Sequence, residues 1–135
     1  MEKVITIESA IEKSRQYFNN DELAATVFPT KYALTDKDGN LHEETPDDMH
    51  HRMAKEFARI EQNYPNPLSE KEIYNLFSSW EVVPQGSPMS GVGNPFQVQS
   101  LSNCFVIDSP EDSYAGILHT DQQQVQIMKR RGGVL

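Results

Sequence analysis

The sequence has few of the residues on which several common classes of protein depend. It contains one cysteine among 135 residues, so no internal disulfide framework can form, and a reducing compartment suits it. Basic residues are also scarce, since 12 Lys and Arg stand against 20 Asp and Glu and give a formal net charge of -8. Because domains that bind DNA or RNA directly are usually basic, this balance argues against a nucleic-acid partner.

Long apolar runs and a secretion leader are absent as well. No apolar stretch approaches the roughly 20 residues of a membrane-spanning helix, and residues 1–8 have no basic flank followed by an apolar core. We therefore expect a cytoplasmic protein with no membrane partner. Residues 129–135 place two glycines after a helical pattern and then stop, which we interpret as the front piece of something longer.

Helix-start patterns recur through the first half of the chain. Thr45 before Pro46 and two aspartates is the clearest, because threonine caps, proline suits the first helical position and acids favour the positive end of the dipole. Ser69 and Ser9 each have a glutamate three residues on, which is the capping-box pattern, and Asp21 opens a further segment. The predicted buried residues are Leu23, Ala24, Val27, Phe28, Met49, Met53, Phe57, Ile60, Ile73, Leu76, Phe77 and Trp80.

Two features superficially suggest a metal site. The acidic residues 36–40 resemble part of a calcium loop, but the twelve-residue spacing with a terminal glutamate is missing, so they predict only a tight turn at Gly39. His50 and His51 are adjacent and face different directions on the predicted helix, so they cannot easily bind one ion together. We expect both histidines to be solvated or to act as caps, and we expect no metal ligand in this chain.

The composition changes at Val82. Residues 82–99 carry no charged side chains and are rich in Pro, Gly, Ser and Asn, as a solvated linker would be. The interleaved Val, Met and Phe fit a linker less well, and glycine-rich backbone can approach an anion or nucleotide closely, so both interpretations stay open. We predict a helical region over residues 1–81 and a second region over residues 82–135.

The single cysteine, Cys104, precedes the apolar residues 105–107. That run predicts a buried strand ended by a turn at Pro110, with the thiol at the mouth of the strand. A lone cysteine is in itself more often a small buried hydrophobe than a reactive thiol. After the turn, Asp112 or Ser113 can cap a helix whose basic end, residues 129–131, complements the helix dipole or alternatively binds an anion.

Several ordered motifs resemble the large, catalytic subunit of ribonucleotide reductase. They are VPQGSPM at 83–89, LSNCFVI at 101–107, EDS at 111–113 and MKRRGGV at 128–134, with KY at 31–32, DKDGN at 36–40 and ETPDDM at 44–49 upstream. The resemblance covers nearly the whole chain. It implies a mostly α segment, in which a helical N-terminal region leads into the first strand and the dimer-interface helix of a ten-stranded α/β barrel that begins within residues 82–135.

The resemblance also implies a role for each residue that matches a family motif. Cys104 corresponds to a redox-active thiol, one of a pair that delivers electrons to the ribose and closes into a disulfide. Ser87, a hydroxyl residue before proline, corresponds to a substrate contact. Ser102 and Asn103 fall in the segment that meets the diphosphate or ribose, with Asn103 standing where the family has a second serine.

Asp112 and Ser113 resemble the start of the site that binds a deoxynucleoside triphosphate effector. Glu111 is the alternative to Asp112 as the acid that contacts the effector ribose, because the spacing from Cys104 is one residue longer than in the family that the sequence resembles. The resemblance implies that this segment acts together with the remainder of the catalytic subunit. It also implies that the catalytic subunit forms a homodimer. It further implies a ribonucleotide substrate, for which we expect a diphosphate rather than a triphosphate.

We expect no cofactor to be bound by this segment itself. The whole enzyme would need a radical source, either a metal-containing small subunit or adenosylcobalamin, and a dithiol reductant such as thioredoxin or glutaredoxin. The first residues of the sequence are too few to form the family's N-terminal ATP-cone, Cys104 is the only cysteine in the sequence, and the last motif reads Gly-Gly-Val-Leu instead of Gly-Gly-Val-Gly. We therefore expect the 135 residues alone to be inactive. The alternative is a non-catalytic helical module for assembly or effector binding that docks on the rest of the enzyme.

Overall fold

The computed structural model describes residues 5–135, and these residues are mostly helical. The α-helices are α1 (Ile7–Tyr17), α2 (Glu22–Val27), α3 (Pro46–Glu61), α4 (Glu70–Ser78), α5 (Gly86–Gly91) and α6 (Tyr114–Met128). A π-helical turn (Phe28–Tyr32) continues α2, and two short strands, β1 (Cys104–Phe105) and β2 (Gly133–Val134), flank α6. The prediction of a mostly α segment is confirmed. Among the described residues, no helix is long and apolar enough to cross a membrane.

Polar side chains fix the starts of the long helices in the first half. Thr45 precedes α3, and its backbone N–H donates to Asp48 Oδ2 at 3.0 Å. Ser69 caps α4, where its N–H donates to Glu72 Oε2 at 2.8 Å and its Oγ accepts from the Glu72 N–H at 3.3 Å. The predicted helix start at Thr45 and the predicted capping box at Ser69 are therefore confirmed, and each satisfies N–H groups that the first helical turn leaves without partners.

The predicted start of α1 is wrong by three residues. The helix begins at Ile7, and Thr6 is its N-cap, with Thr6 Oγ1 accepting from the Ser9 N–H at 3.2 Å. Ser9 therefore lies inside the first turn, and its hydroxyl donates to Glu44 Oε1 at 3.4 Å instead of capping. Two residues that can cap stand three positions apart here, so the sequence pattern alone does not separate them.

The hydrophobic core lies in the first two-thirds of the chain, where α3 and α4 pack on each other. Its buried members are Phe28, Ala33, Met49, Met53, Ala54, Ile73, Phe77 and Val92. Leu23 is 76% exposed and Ala25 is buried, so the predicted apolar face of α2 is wrong at Leu23, whereas Phe28 is buried as predicted. Pro29 does not end the helical path either, because the wider π-helical turn closes around it through the Ala33 N–H to Phe28 carbonyl bond.

His50 is buried in this core, which corrects the prediction of a solvated or capping histidine. Only 1% of the residue is exposed, and its ring lies 5.1 Å from that of Trp80 and 6.2 Å from that of Phe77. Its Nδ1 atom has no hydrogen-bond partner among the described residues. Burial lowers the pKa of His50, although Asp47 acts in the opposite direction. His51 is exposed and stacks on Tyr74.

Arg52 ties α3 to the end of α5. Its Nε donates to Glu43 Oε1 at 2.6 Å, its Nη2 donates to the Met89 carbonyl at 2.8 Å, and its Nη1 donates to the Val92 carbonyl. Glu43 Oε2 also accepts from the Leu34 N–H at 2.7 Å, so both members of this buried ion pair have further partners. The contact holds residues 86–92 against the helical core. The division of the chain at residues 81 and 82 stays a prediction.

The strand at Cys104 is shorter and more exposed than predicted. It covers Cys104–Phe105 only, and Val106 beyond it is 84% exposed. The strand pairs in parallel with β2, with Cys104 opposite Gly133 and Phe105 opposite Val134. A run of apolar residues becomes a buried strand only when layers cover both faces. The described residues supply one neighbouring strand and do not bury this run.

Candidate functional site

The side chain of Asn103 joins the first turn of α5 to β1. Its Oδ1 accepts from the Ser87 N–H at 2.7 Å, and its Nδ2 donates to Gln85 Oε1 at 2.9 Å. Ser87 is itself buried, in the first turn of α5. The structure therefore brings together two of the residues predicted for substrate contact, Ser87 and Asn103, and the chain reaches Cys104 directly after them.

The backbone of β2 lies beside Asn103 and Cys104. The Gly133 N–H donates to the Asn103 carbonyl at 2.6 Å. A Cβ at Gly133 would lie 3.0 Å from that carbonyl oxygen and 4.0 Å from Cys104 Sγ, so the absence of a side chain permits the close approach. Cys104 is a free, exposed cysteine. An exposed thiol beside bare backbone is open to a ligand, as a redox cysteine must be.

Ser102 lies next to this group with its backbone held by Ser100. The Ser102 N–H donates to Ser100 Oγ at 3.0 Å, and Ser100 Oγ donates to the Ser102 carbonyl at 2.9 Å. Ser102 is exposed, and its own hydroxyl has no partner among the described residues. The residue is thus available for a contact with a ligand, but the structure does not connect its side chain to Ser87 or Asn103.

Asp112 and Ser113 lie apart from the other predicted site residues, before α6. Ser113 is the N-cap of α6, with its Oγ accepting from the Gly116 N–H at 3.0 Å, so of the two predicted caps Ser113 is the correct one. Asp112 is exposed. The adjacent depression, of about 350 Å³, is lined in part by Asp108 and Glu111, and these carboxylates would oppose a triphosphate held by this stretch alone. Effector binding here stays a prediction.

The sequence analysis missed three residues that build this region. Gln85 fixes the Asn103 amide, Gly133 allows β2 to approach Cys104, and Gln99 donates from Nε2 to Ser90 Oγ at 3.2 Å on α5. The position of Gln85 could have been found from the sequence, since it directly precedes Gly86 at the start of α5. The other two depend on long-range pairing that no local pattern contains. Within residues 5–135, no three His, Cys, Asp or Glu side chains form a group that could hold a metal ion.

Comparison with known proteins agrees with this arrangement of helices. Residues 18–97 match the family described as ribonucleotide reductase, all-alpha domain. The match covers more than half of the chain and includes α2 to α5. The chain therefore belongs to the ribonucleotide reductase family, an oxidoreductase family of deoxyribonucleotide biosynthesis, and carries the N-terminal all-α region of the large subunit. No curated protein and no solved structure matches it.

Proposed function

We propose that this chain is the N-terminal part of a ribonucleoside-diphosphate reductase catalytic subunit that works in the cytoplasm. The observation that carries the proposal is the cluster in which Asn103 links buried Ser87 to the strand of exposed Cys104, with Gly133 opposite. Ser87, Ser102 and Asn103 contact the substrate in this proposal, and Cys104 is one of its two reducing thiols.

The atoms and electrons of the proposed reduction can be accounted for. A radical source in the rest of the enzyme activates the ribose, the 2′-hydroxyl leaves as water, and a hydrogen takes its place on the carbon. The two electrons and two protons come from Cys104 and a second cysteine, whose sulfurs join as a disulfide. Cys104 is the single cysteine of this chain, so the second thiol belongs to the remainder of the catalytic subunit. Thioredoxin, glutaredoxin or a similar dithiol returns the pair to its reduced form.

The test of the redox role is Cys104→Ser in the enzyme assembled with the rest of the catalytic subunit. We expect multiple turnover with a dithiol reductant to be lost while nucleotide binding is retained, because serine keeps the size of the side chain but cannot form a disulfide. Turnover is measured as deoxynucleotide formed per enzyme over many cycles. Steady turnover by the variant would contradict the proposal.

Effector binding at Asp112 and Ser113 is a second part of the proposal. It is supported by their position at the start of a long helix that exposes apolar side chains, which a second subunit could cover. Asp112→Ala should weaken the binding of a deoxynucleoside triphosphate in the assembled enzyme, measured by calorimetry. Asp121→Ala, an exposed acid further along α6 and outside the adjacent depression, is the matched control. Equal affinity in wild type and Asp112→Ala would remove Asp112 from the site.

A non-catalytic assembly module is the second candidate function. The exposed apolar side chains of α6 favour it, because Leu118, Val125 and Met128 are all more than half exposed. A docking module would bind the rest of the enzyme and leave catalysis to other residues. Cys104→Ser would then assemble and turn over normally, so the redox experiment also separates the two candidates.

A further inference from the structure

The short helix α5, which carries Ser87, has a sequence that favours a helix poorly. It runs Gly86–Gly91, with glycine at both ends and Pro88 inside. Glycine and proline are the residues that least favour a helix, and a helix of 6 residues is too short to be stable alone. The conformation of α5, and with it the position of Ser87, therefore depends on contacts from the rest of the chain.

Gln99 supplies one of these contacts through both ends of its amide. Its Nε2 donates to Ser90 Oγ at 3.2 Å, and its Oε1 accepts from Arg131 Nη1 at 3.2 Å. A neighbouring backbone bond, from the Ser100 N–H to the Arg130 carbonyl at 2.8 Å, holds this segment against the turn after α6. The bond from Arg131 fixes the Gln99 oxygen on that side, so the Gln99 N–H groups face α5.

The backbone of α5 leaves space for the Gln99 side chain at Gly91. A Cβ at Gly91 would lie 2.5 Å from Gln99 Nε2 and 3.1 Å from Gln99 Cγ. A distance of 2.5 Å is well inside van der Waals contact, so a larger residue at position 91 would push the amide away from Ser90. The absence of a side chain at Gly91 thus permits the bond between Gln99 and Ser90.

Ser90 connects Gln99 to the backbone of Ser87. A serine hydroxyl has one hydrogen, and because Ser90 Oγ accepts from Gln99, its own hydrogen is directed elsewhere. It donates to the carbonyls of Gly86 and Ser87, at 3.2 Å and 3.3 Å. The Ser87 N–H donates to Asn103 Oδ1 at 2.7 Å. Both backbone groups of Ser87 are therefore held, while its hydroxyl has no hydrogen-bond partner within residues 5–135.

We propose that Gln99 is a positioning residue for Ser87, and that it acts through Ser90 to hold α5 so that the Ser87 hydroxyl faces the ribonucleotide. The inference rests on the proposed role of Ser87 as a substrate contact, and it does not need the redox role of Cys104. Gln99 itself contacts no substrate in this arrangement. It sets the fraction of molecules in which Ser87 is correctly placed, so its loss should raise KM and leave kcat nearly unchanged.

The first test is Gln99→Glu in the enzyme assembled with the remainder of the catalytic subunit. Glutamate keeps the size of the side chain and an acceptor for Arg131, but a carboxylate has no donor, so the Ser90 hydroxyl should turn its hydrogen to it and leave the two carbonyls. KM for cytidine diphosphate should rise about five- to tenfold, as for the loss of one or two neutral hydrogen bonds, and kcat should stay within about twofold.

The matched control is Gln97→Glu, the same change at an exposed residue of the same segment. It should give the wild-type KM, because Gln97 has no side-chain bond to α5 among the described residues. An unchanged KM in Gln99→Glu, or an equal rise in Gln97→Glu, would overturn the positioning role.

The second test is a double-mutant cycle that asks whether Gln99 acts through Ser90. Ser90→Ala removes the hydroxyl that Gln99 orients, so Ser90→Ala, Gln99→Glu and the double variant should all raise KM by a similar factor. Gly91→Ala, which leaves both side chains intact but displaces the Gln99 amide, should raise KM as well. Losses that add in the double variant, or a wild-type KM in Gly91→Ala, would overturn the proposal.

The outcome for Gln99 can be separated from the outcome for Cys104. Steady turnover by Cys104→Ser would contradict the redox role and leave the comparison of KM between Gln99→Glu and Gln97→Glu intact. Loss of turnover in Cys104→Ser together with a wild-type KM in Gln99→Glu would overturn the positioning role alone.

Discussion

Apolar side chains are buried in the helical region up to residue 97 but largely exposed in the stretch over residues 98–135. Met49, Met53 and Phe77 in the first are buried, whereas Val106 and Tyr114 in the second are largely exposed. The first region thus has a core of its own, which is the usual source of stability. The second is attached through the Asn103 amide, which bonds to Ser87 and Gln85, and through the Gln99 amide, which donates to Ser90 Oγ. The difference predicts that similar substitutions will have unequal effects in the two regions.

The largest expected effect is at Arg52, which connects the helical core to α5. Arg52→Ala leaves the buried Glu43 carboxylate without its partner and frees the carbonyls of Met89 and Val92. We expect the free energy of unfolding to fall by about 3–5 kcal/mol. Urea denaturation followed by Trp80 fluorescence measures it.

The matched control for Arg52 is Arg59, which lies on the same helix in an exposed pair with Glu56. Arg59→Ala should change the free energy of unfolding by only about 0–1 kcal/mol, because solvent already screens that pair. Similar losses in the two variants would mean that Arg52 does not hold α5 against the helical core as described.

The next effect compares one methionine from each region. Met53 is fully buried in α3, and Met53→Ala should lower the free energy of unfolding by about 2–5 kcal/mol through lost contacts and a cavity. Met128 in α6 is 61% exposed, and Met128→Ala should stay within about 0.5 kcal/mol of the wild type. Urea titrations of both variants check the pair. A large loss from Met128→Ala would show that α6 is covered by a partner in solution.

A smaller effect compares the caps of α4 and α6. Ser69→Ala should reduce global stability by about 1 kcal/mol, since it removes a capping box from a helix that packs in the core. Ser113→Ala should instead speed amide hydrogen exchange in α6 and leave the global transition unchanged, because α6 packs on little else. Hydrogen exchange by mass spectrometry measures both variants. A drop in global stability from Ser113→Ala would break the comparison.

The smallest expected effect is the pH dependence due to His50. Its pKa is lowered from the ordinary 6.5 by burial, Asp47 opposes the shift and His51 adds to it. The rings that pack on it from α4 and from the turn after α4, those of Phe77 and Trp80, are uncharged. The unfolded chain therefore takes up the proton first as the pH falls. The stability from neutral His50 is fully present above pH 6.5 and is lost progressively below it.

Unfolding free energies measured from pH 8 to pH 5 in the wild type and in two variants test this expectation. His51→Gln should keep the decline below pH 6.5, and His50→Gln should lose the part of the decline due to this imidazole. The same slope in wild type and His50→Gln would assign the pH dependence to another group.

Local patterns predicted the starts of α3, α4 and α6, because caps depend on residues only three positions apart. Burial was predicted less well. The sequence predicts that His50 is solvated or acts as a cap, yet Phe77 of α4 and Trp80 just after it pack their rings against it. The sequence also predicts burial of the apolar run after Cys104, although no other part of the described chain covers Val106. Both outcomes depend on which elements pack together, and the spacing of residues within one helix or strand does not contain that information.

The candidate site, like the fold, could be predicted from the sequence only in part. Resemblance singled out Ser87, Asn103 and Cys104, and the structure adds the amide bonds that bring the first two together. The role of Gly133 depends on the pairing of distant segments, which no local pattern contains.

The parallel pairing of β1 with β2 also sets an order of events in folding. The caps and the packing of α3 on α4 join residues close in sequence, and such contacts form early because little chain entropy opposes them. Cys104 meets Gly133 only after the whole of α6 has been brought back across the strand. The thiol therefore acquires its glycine neighbour late, in an already folded helical body, and a chain stalled before that step would be well structured yet lack the arrangement around its cysteine.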